Sequence, residues 1–222
     1  MVQKNEEIIS QKFHPMQDPL SLQSRANILA ALRHNQPESS ALPPLLYFPQ
    51  APAAELKEQF IRIATGIGSV VLTADTFEGA VELLQNTIKP GQKVLSTVPE
   101  LSSDEFIYPG KDQDPHRYAD LDIAIFKPLV AVAENSALWI TDEQLITRAL
   151  PFITQHIYML VDISVLVADM HEASRITGLE SQKYGFGTYI AGPSKTADIE
   201  QSLVLGAHGP RSMTIFLYGS GA

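Results

Sequence analysis

Apolar positions along the 222-residue chain alternate between helical and strand-like spacing. Leu22, Ala26, Leu29 and Arg33 share one face of a helix that Ser21 or Ser24 could cap and that ends near Asn35 to Pro37. After a proline-rich connection, Leu56, Phe60, Ile63 and Ile67 recur at helical spacing, and Gly66 and Gly68 close the element. Ser69 to Leu72 reads as a strand. Asp75 and Glu78 have capping-box spacing before an apolar face of Phe77, Ala80, Val81, Leu84 and Ile88, which Pro90-Gly91 stops. Lys93 to Thr97 is the next expected strand. Beyond the polar loop 109–115, the runs Leu121 to Phe126, Leu129 to Ala133 and Ala137 to Thr141 follow too closely for helices between them, which predicts a β-rich insertion or meander.

His156 to Ala168 reads as two strand-like pieces, and Asp169 to Ile176 as a helix closed by Gly178. Thr188 to Ala191 is a short strand running into Gly192-Pro193-Ser194, with Thr196 placed to cap a helix from Ala197 to Leu205. Met213 to Tyr218 is the last strand. Strands alternating with helices predict an α/β fold, an open and largely parallel sheet flanked by helices with a β-rich insertion. The organisation expected is an N-terminal arm over residues 1–20 and a single α/β domain over 21–222.

Composition narrows the chemistry. A formal charge of -9 without a Lys/Arg run argues against nucleic acid as a partner. The absence of cysteine removes disulfides, thiol nucleophiles and thiolate-held iron–sulfur clusters from this chain. The N-terminus lacks the apolar core of a signal peptide, and Asp162 and Ser164 interrupt the most apolar run. A cytoplasmic protein with no membrane span is therefore expected. The six histidines show no HxH or HExxH spacing, so no intrinsic metal is expected, and neither GxGxxG nor a P-loop occurs.

Three places carry candidate chemistry. The turn Gly192-Pro193-Ser194-Lys195-Thr196, with Asp198 after it, sits where a strand would hand over to a helix. Free amides, two hydroxyls and the Lys195 charge there could bind an anion or carboxylate, or simply make a tight turn and a cap. His208, Gly209, Pro210 and Arg211 would mark the far end of that helix, as a carboxylate or partner site or as an ordinary helix stop. Glu134, at a strand end before Asn135-Ser136, suits a nucleophile or general base, or equally a solvated turn residue.

The strings GPSKTADIE and GAHGPR, with the strand-dense middle ADLDIAIFKPLVAVAENSALWIT, resemble the lactate utilization protein C group of the LUD family. The resemblance covers roughly Ser21 to Tyr218 and is strongest after Leu121. It implies a fold similar to the sugar-phosphate isomerase and CoA-transferase superfamily. It also implies a part in oxidising L-lactate to pyruvate beside partner subunits that carry iron–sulfur clusters, with no cofactor held by this chain. The family's acidic residue falls on Glu134, and its C-terminal motifs on Gly192, Pro193, Ser194, Thr196, Asp198, His208, Gly209, Pro210 and Arg211. The family usually has Thr-Gly after the Glu, where this chain has Asn135-Ser136. Three functions follow as expectations: a cluster-free component of a lactate-oxidising assembly, an acyl- or CoA-transferase-like enzyme using Glu134, or a carboxylate-binding regulatory module.

Overall fold

The computed structural model describes residues 19–41, 52–101, 114–145, 147–180, 185–196 and 204–219. They fall into two units, 1–48 and 49–222. In the first lies helix α1 (Pro19–His34), which starts on a proline, the residue best tolerated at a first helical position, and so begins ahead of Ser21. Arg33 and His34 stand in its last turn, where positive charge complements the helix dipole.

The second unit opens with α2 (Ala53–Gly66), β1 (Val70–Ala74), α3 (Phe77–Thr87), β2 (Val94–Ser96) and β3 (Ile123–Phe126). A hairpin follows from β4 (Val130–Val132) and β5 (Leu138–Thr141), then the single turns α4 (Asp142–Leu145) and α5 (Leu150–Ile153). The chain continues through β6 (His156–Asp162), β7 (Leu166–Val167), α6 (Met170–Glu180) and β8 (Gly187–Ile190). It ends with β9 (Lys195–Thr196), β10 (Val204–Leu205) and β11 (Ser212–Tyr218).

The central sheet has the order β1-β11-β6-β3-β2, and all its pairings are parallel. Its inner strands β11, β6 and β3 are largely apolar because both of their faces are covered. On β11, Met213, Ile215 and Leu217 enter one core and Phe216 and Tyr218 the other; β6 divides Ile157, Met159 and Val161 from Tyr158 and Leu160 in the same way. One core is closed by Ala80 and Leu84 of α3. The opposite core is closed by Phe60 and Ala64 of α2 and by Ala131, Leu138 and Ile140 of a second sheet, ordered β7-β4-β5-β8. The outer face of that second sheet packs Val130 and Val132 against Ala173 of α6.

The α/β expectation holds, with local differences. Helix α3 is capped by Thr76, whose hydroxyl accepts from the Gly79 amide at 3.1 Å, not by Asp75, because the helix starts one residue later than the Asp75/Glu78 spacing implies. Helix α6 runs through Gly178 to Glu180; a glycine without a positive φ does not stop a helix. The run expected as one β insertion is shared between sheets. Ile123–Phe126 joins the central sheet, and the chain crosses to the second sheet at Lys127–Leu129.

Candidate functional site

Strand β8 carries the chain out of the second sheet into Ala191 and Gly192. Gly192 has φ +72°, and a Cβ there would lie 3.0 Å from the Ile67 side chain, so the turn needs a residue without one. The chain then goes into a strand, not directly into a helix. Lys195 and Thr196 of β9 pair antiparallel with Leu205 and Val204 of β10, and the Gly206 amide donates to the Ser194 carbonyl at 2.9 Å. The expected helix from Ala197 to Leu205 with Thr196 as its cap is thus corrected at Thr196, Val204 and Leu205. Residues 197–203, Asp198 among them, lie outside the described residues. Backbone pairing between two segments eight residues apart wins here over the short apolar spacing that suggested a helix.

The ribbon turns the two C-terminal motifs, expected at opposite ends of a helix, into neighbours. The Ser194 amide donates to the Pro210 carbonyl at 2.9 Å, and the Arg211 amide to the Gln155 carbonyl at 2.8 Å, tying the second motif to the start of β6. A Cβ on Gly209 would sit 3.1 Å from Ser194 Cβ, so this glycine lets one motif rest on the other. A cleft of about 240 Å³ opens between them, lined by Gly192, Pro193, Ser194, His208, Gly209 and Pro210. Its remaining wall is apolar, with Phe152, Ile157, Tyr189 and Ile190.

This geometry changes the candidate chemistry. The Ser194 amide is bonded to Pro210 and the Gly206 amide to Ser194, so these two donors are not free to hold an anion. The polar side chains among the lining residues are those of Ser194 and His208, set against apolar walls. Lys195 and Arg211 are exposed and do not line the cleft; Lys195 extends toward Gly68, and the Arg211 stem lies over Gly206. Ile157 and Gln155 stand at the beginning of β6, so the cleft lies at the amino ends of the central strands. Sequence reasoning missed His156, whose Nδ1 lies 2.8 Å from Ser212 Oγ at this same edge. Their separation of 56 residues leaves no spacing signal.

Glu134 occupies the tip of the β4–β5 hairpin and does not line the cleft. Its carboxylate accepts from the Met170 amide at 3.1 Å, capping α6 from 36 residues away. Leu138 is paired with Ile190, so the hairpin tip and the exit of β8 share one end of the second sheet. Next to Glu134, Ser136 has φ +55°, the conformation that favours glycine, and its buried hydroxyl has no hydrogen-bond partner among the described residues. Ser136→Gly should remove about 1 kcal/mol of left-handed strain and a buried hydroxyl costing about 1–3 kcal/mol, offset by about 1 kcal/mol of extra chain entropy. The net gain is roughly 1–3 kcal/mol, or about 2–12 °C in Tm. A thermal melt checks this, and a fall in Tm would show that the hydroxyl is paired.

Among the described residues no group of three or more His, Asp and Glu side chains is placed to hold a metal ion. No described helix is long and apolar enough to cross a membrane.

Comparison with known proteins agrees with the resemblance seen in the motifs. Residues 111–218, just under half of the chain, match the LUD domain, a stretch that holds the Glu134 hairpin and both C-terminal motifs. Lactate utilization protein C of Shouchella clausii is 32% identical over 93 residues, 40% of this chain and 40% of that protein. The protein of the same name from Bacillus pumilus is 34% identical over 83 residues, 36% of this chain and 35% of its own length. The matched stretch therefore spans two-fifths or less of these curated relatives. A crystal structure of a DUF162 family protein from Deinococcus radiodurans shares the fold, with a TM-score of 0.57 over 76% of this chain and 99% of that one, at 16% identity.

Proposed function

From a LUD domain matched over residues 111–218, we propose that this protein is a cluster-free component of an L-lactate utilization system, working beside partner subunits that carry iron–sulfur clusters. Its own task in that reading is to hold the small carboxylate, lactate or pyruvate, in the cleft between the two C-terminal motifs. The observation that carries the proposal is the junction of those motifs: Ser194 and His208 meet across a cleft small enough for a three-carbon acid. The relatives' shared name, lactate utilization protein C, supports the substrate class. The lack of any cysteine in these 222 residues supports the placement of thiolate-held clusters on other chains.

In this arrangement an N–H of the His208 imidazole and the Ser194 hydroxyl donate to the carboxylate. Phe152 and Ile157 exclude water from the methyl end. Oxidation of lactate to pyruvate releases two electrons and two protons; clusters on the partner subunits would take the electrons and solvent the protons, while this chain positions the acid and presents it.

Calorimetry with lactate and pyruvate tests the site. Wild type should bind, and His208→Ala should weaken binding about tenfold or more, the worth of one hydrogen bond to a charged group. Deleting the gene should abolish growth on lactate, and the tagged protein should co-purify with cysteine-rich subunits. Binding unchanged in His208→Ala overturns the site, and normal lactate oxidation after deletion overturns the function.

A further inference from the structure

A second cavity lies at the other end of the central strands. Ligands of open α/β sheets usually bind outside the carboxyl ends of the strands, and here the ends of β2 and β3 face the second sheet across a space of about 440 Å³. Four segments build it: Thr97 to Glu100 after β2, Lys127 to Leu129 after β3, Gln144 in α4, and Val165 between β6 and β7. Nothing in the lactate reading uses it.

Its lining is largely apolar, with Val98, Pro99, Pro128, Leu129 and Val165, and its few polar groups are held in fixed states. The Gln144 amide is oriented by its surroundings. Its Oε1 accepts both from the Thr141 amide at 3.0 Å and from the Thr141 hydroxyl at 2.6 Å, which leaves Nε2 with two unused protons among the described residues. Lys127 is held on its other sides. Its ammonium donates to Glu100 Oε1 at 2.8 Å and sits 5.2 Å from the centre of the Phe77 ring, and Tyr218 also bonds it. The hydrogen bond from Lys127 holds the Glu100 carboxyl below its ordinary range, while burial pushes the Tyr218 hydroxyl up, so the pair stays charged and the phenol stays protonated at neutral pH.

We propose that this cavity binds a monocarboxylate with an extended apolar body, its carboxylate accepting from Lys127 and from the Gln144 amide and its chain lying against Val98, Leu129 and Val165. Both donors would satisfy the two oxygens of one carboxylate. Glu100 sets the charge limit: with one carboxylate already on Lys127, a dianionic phosphate meets like-charge repulsion that a single carboxylate largely escapes. The apolar walls set the preference for chain length. This ligand class is larger and greasier than lactate and belongs to a different end of the sheet, so the two sites stand or fall separately.

The test is calorimetry of the full chain with straight-chain carboxylates from butanoate to decanoate, with octyl phosphate and lactate alongside. Affinity should rise about fourfold for each added methylene until the cavity is filled. Octyl phosphate should bind at least several-fold more weakly than octanoate. Gln144→Glu keeps an acceptor toward Thr141 but replaces the donating amide with a repelling oxygen; octanoate binding should fall at least about tenfold while lactate binding is unchanged. Should that variant not fold, the Gln144 side-chain amide resonances of wild type supply the readout, and they should shift on adding octanoate. Affinity independent of chain length, equal binding by Gln144→Glu, preference for the phosphate, or unmoved Gln144 resonances would each overturn the proposal.

Discussion

Gly187→Ala should lower the melting temperature by roughly 6–12 °C. Gly187 opens β8 opposite Thr141, and the Trp139 indole lies flat across it: a Cβ at 187 would fall 2.2 Å from Cζ2 and 2.4 Å from Cη2. The ring has little room to retreat, since Tyr189 stands 4.6 Å away, centre to centre, and the outer core packs behind both. Forcing one methyl into such a contact costs about 3 kcal/mol at the upper end of overpacking effects, which at this chain length is the stated fall in Tm. The protein has one tryptophan, so a fluorescence melt reads the affected residue directly. A second variant separates this contact from a general intolerance of β8. Trp139→Val in the Gly187→Ala background should recover part of the lost stability, because the two sites are coupled. A fall of less than about 2 °C in the single variant would mean that the indole slips aside.

Gly206→Ala should do the opposite kind of damage, abolishing ligand binding with little loss of Tm. Gly206 has φ +73°, and a Cβ would lie 2.6 Å from Arg211 Cγ and 2.9 Å from Arg211 Cα. Because the nearer neighbours include backbone, the contact cannot be relieved by a rotamer change, and left-handed strain of about 1 kcal/mol adds to it. The ribbon β9–β10, however, has two exposed apolar residues, Val204 and Leu205, and little core to hold it. Local opening therefore relieves the strain at less cost than global unfolding. The Ser194 amide, bonded to Pro210 in the native ribbon, should then lose its protection against hydrogen exchange, lactate should no longer bind, and Tm should move by only about 2 °C. A large fall in Tm with binding retained would contradict this account of the cleft.

The contrast between these two glycines shows what the amino-acid pattern reveals. Buried parallel strands announce themselves: IAIF, HIYMLVD and MTIFLY are continuous apolar runs because cores lie on both sides of the sheet. The 3.6-residue period marks α2 and α3 equally well. The candidate site was legible in its residues but not in its shape. Gly192, Ser194, His208 and Gly209 are prominent in the sequence, yet their meeting depends on the Ser194–Pro210 and Gly206–Ser194 bonds, and a two-residue pairing leaves no periodic trace. Glu134 was legible as a strand-end carboxylate, while its partner, the Met170 amide, lies too far along the chain for any local rule. The carboxyl-edge cavity escaped notice for a similar reason: Thr97, Lys127 and Gln144 sit on three separate connections, and only the stacking of two sheets brings them together.

The placement of β11 bears on how the protein comes to exist in the cell. This strand fills the position between β1 and β6, pairing Val70 with Thr214 on one side and His156 with Ser212 on the other. While the ribosome is still making residues beyond β6, β1 has no neighbour in the sheet, and the apolar edge of β6 is open to the wrong strand. Pairing of such distant segments is slow, and the waiting intermediate is prone to aggregate. Yield on expression should thus depend on chaperones that guard that edge during synthesis, and a stall or premature stop before Ser212 should give an insoluble product instead of a shortened but folded one.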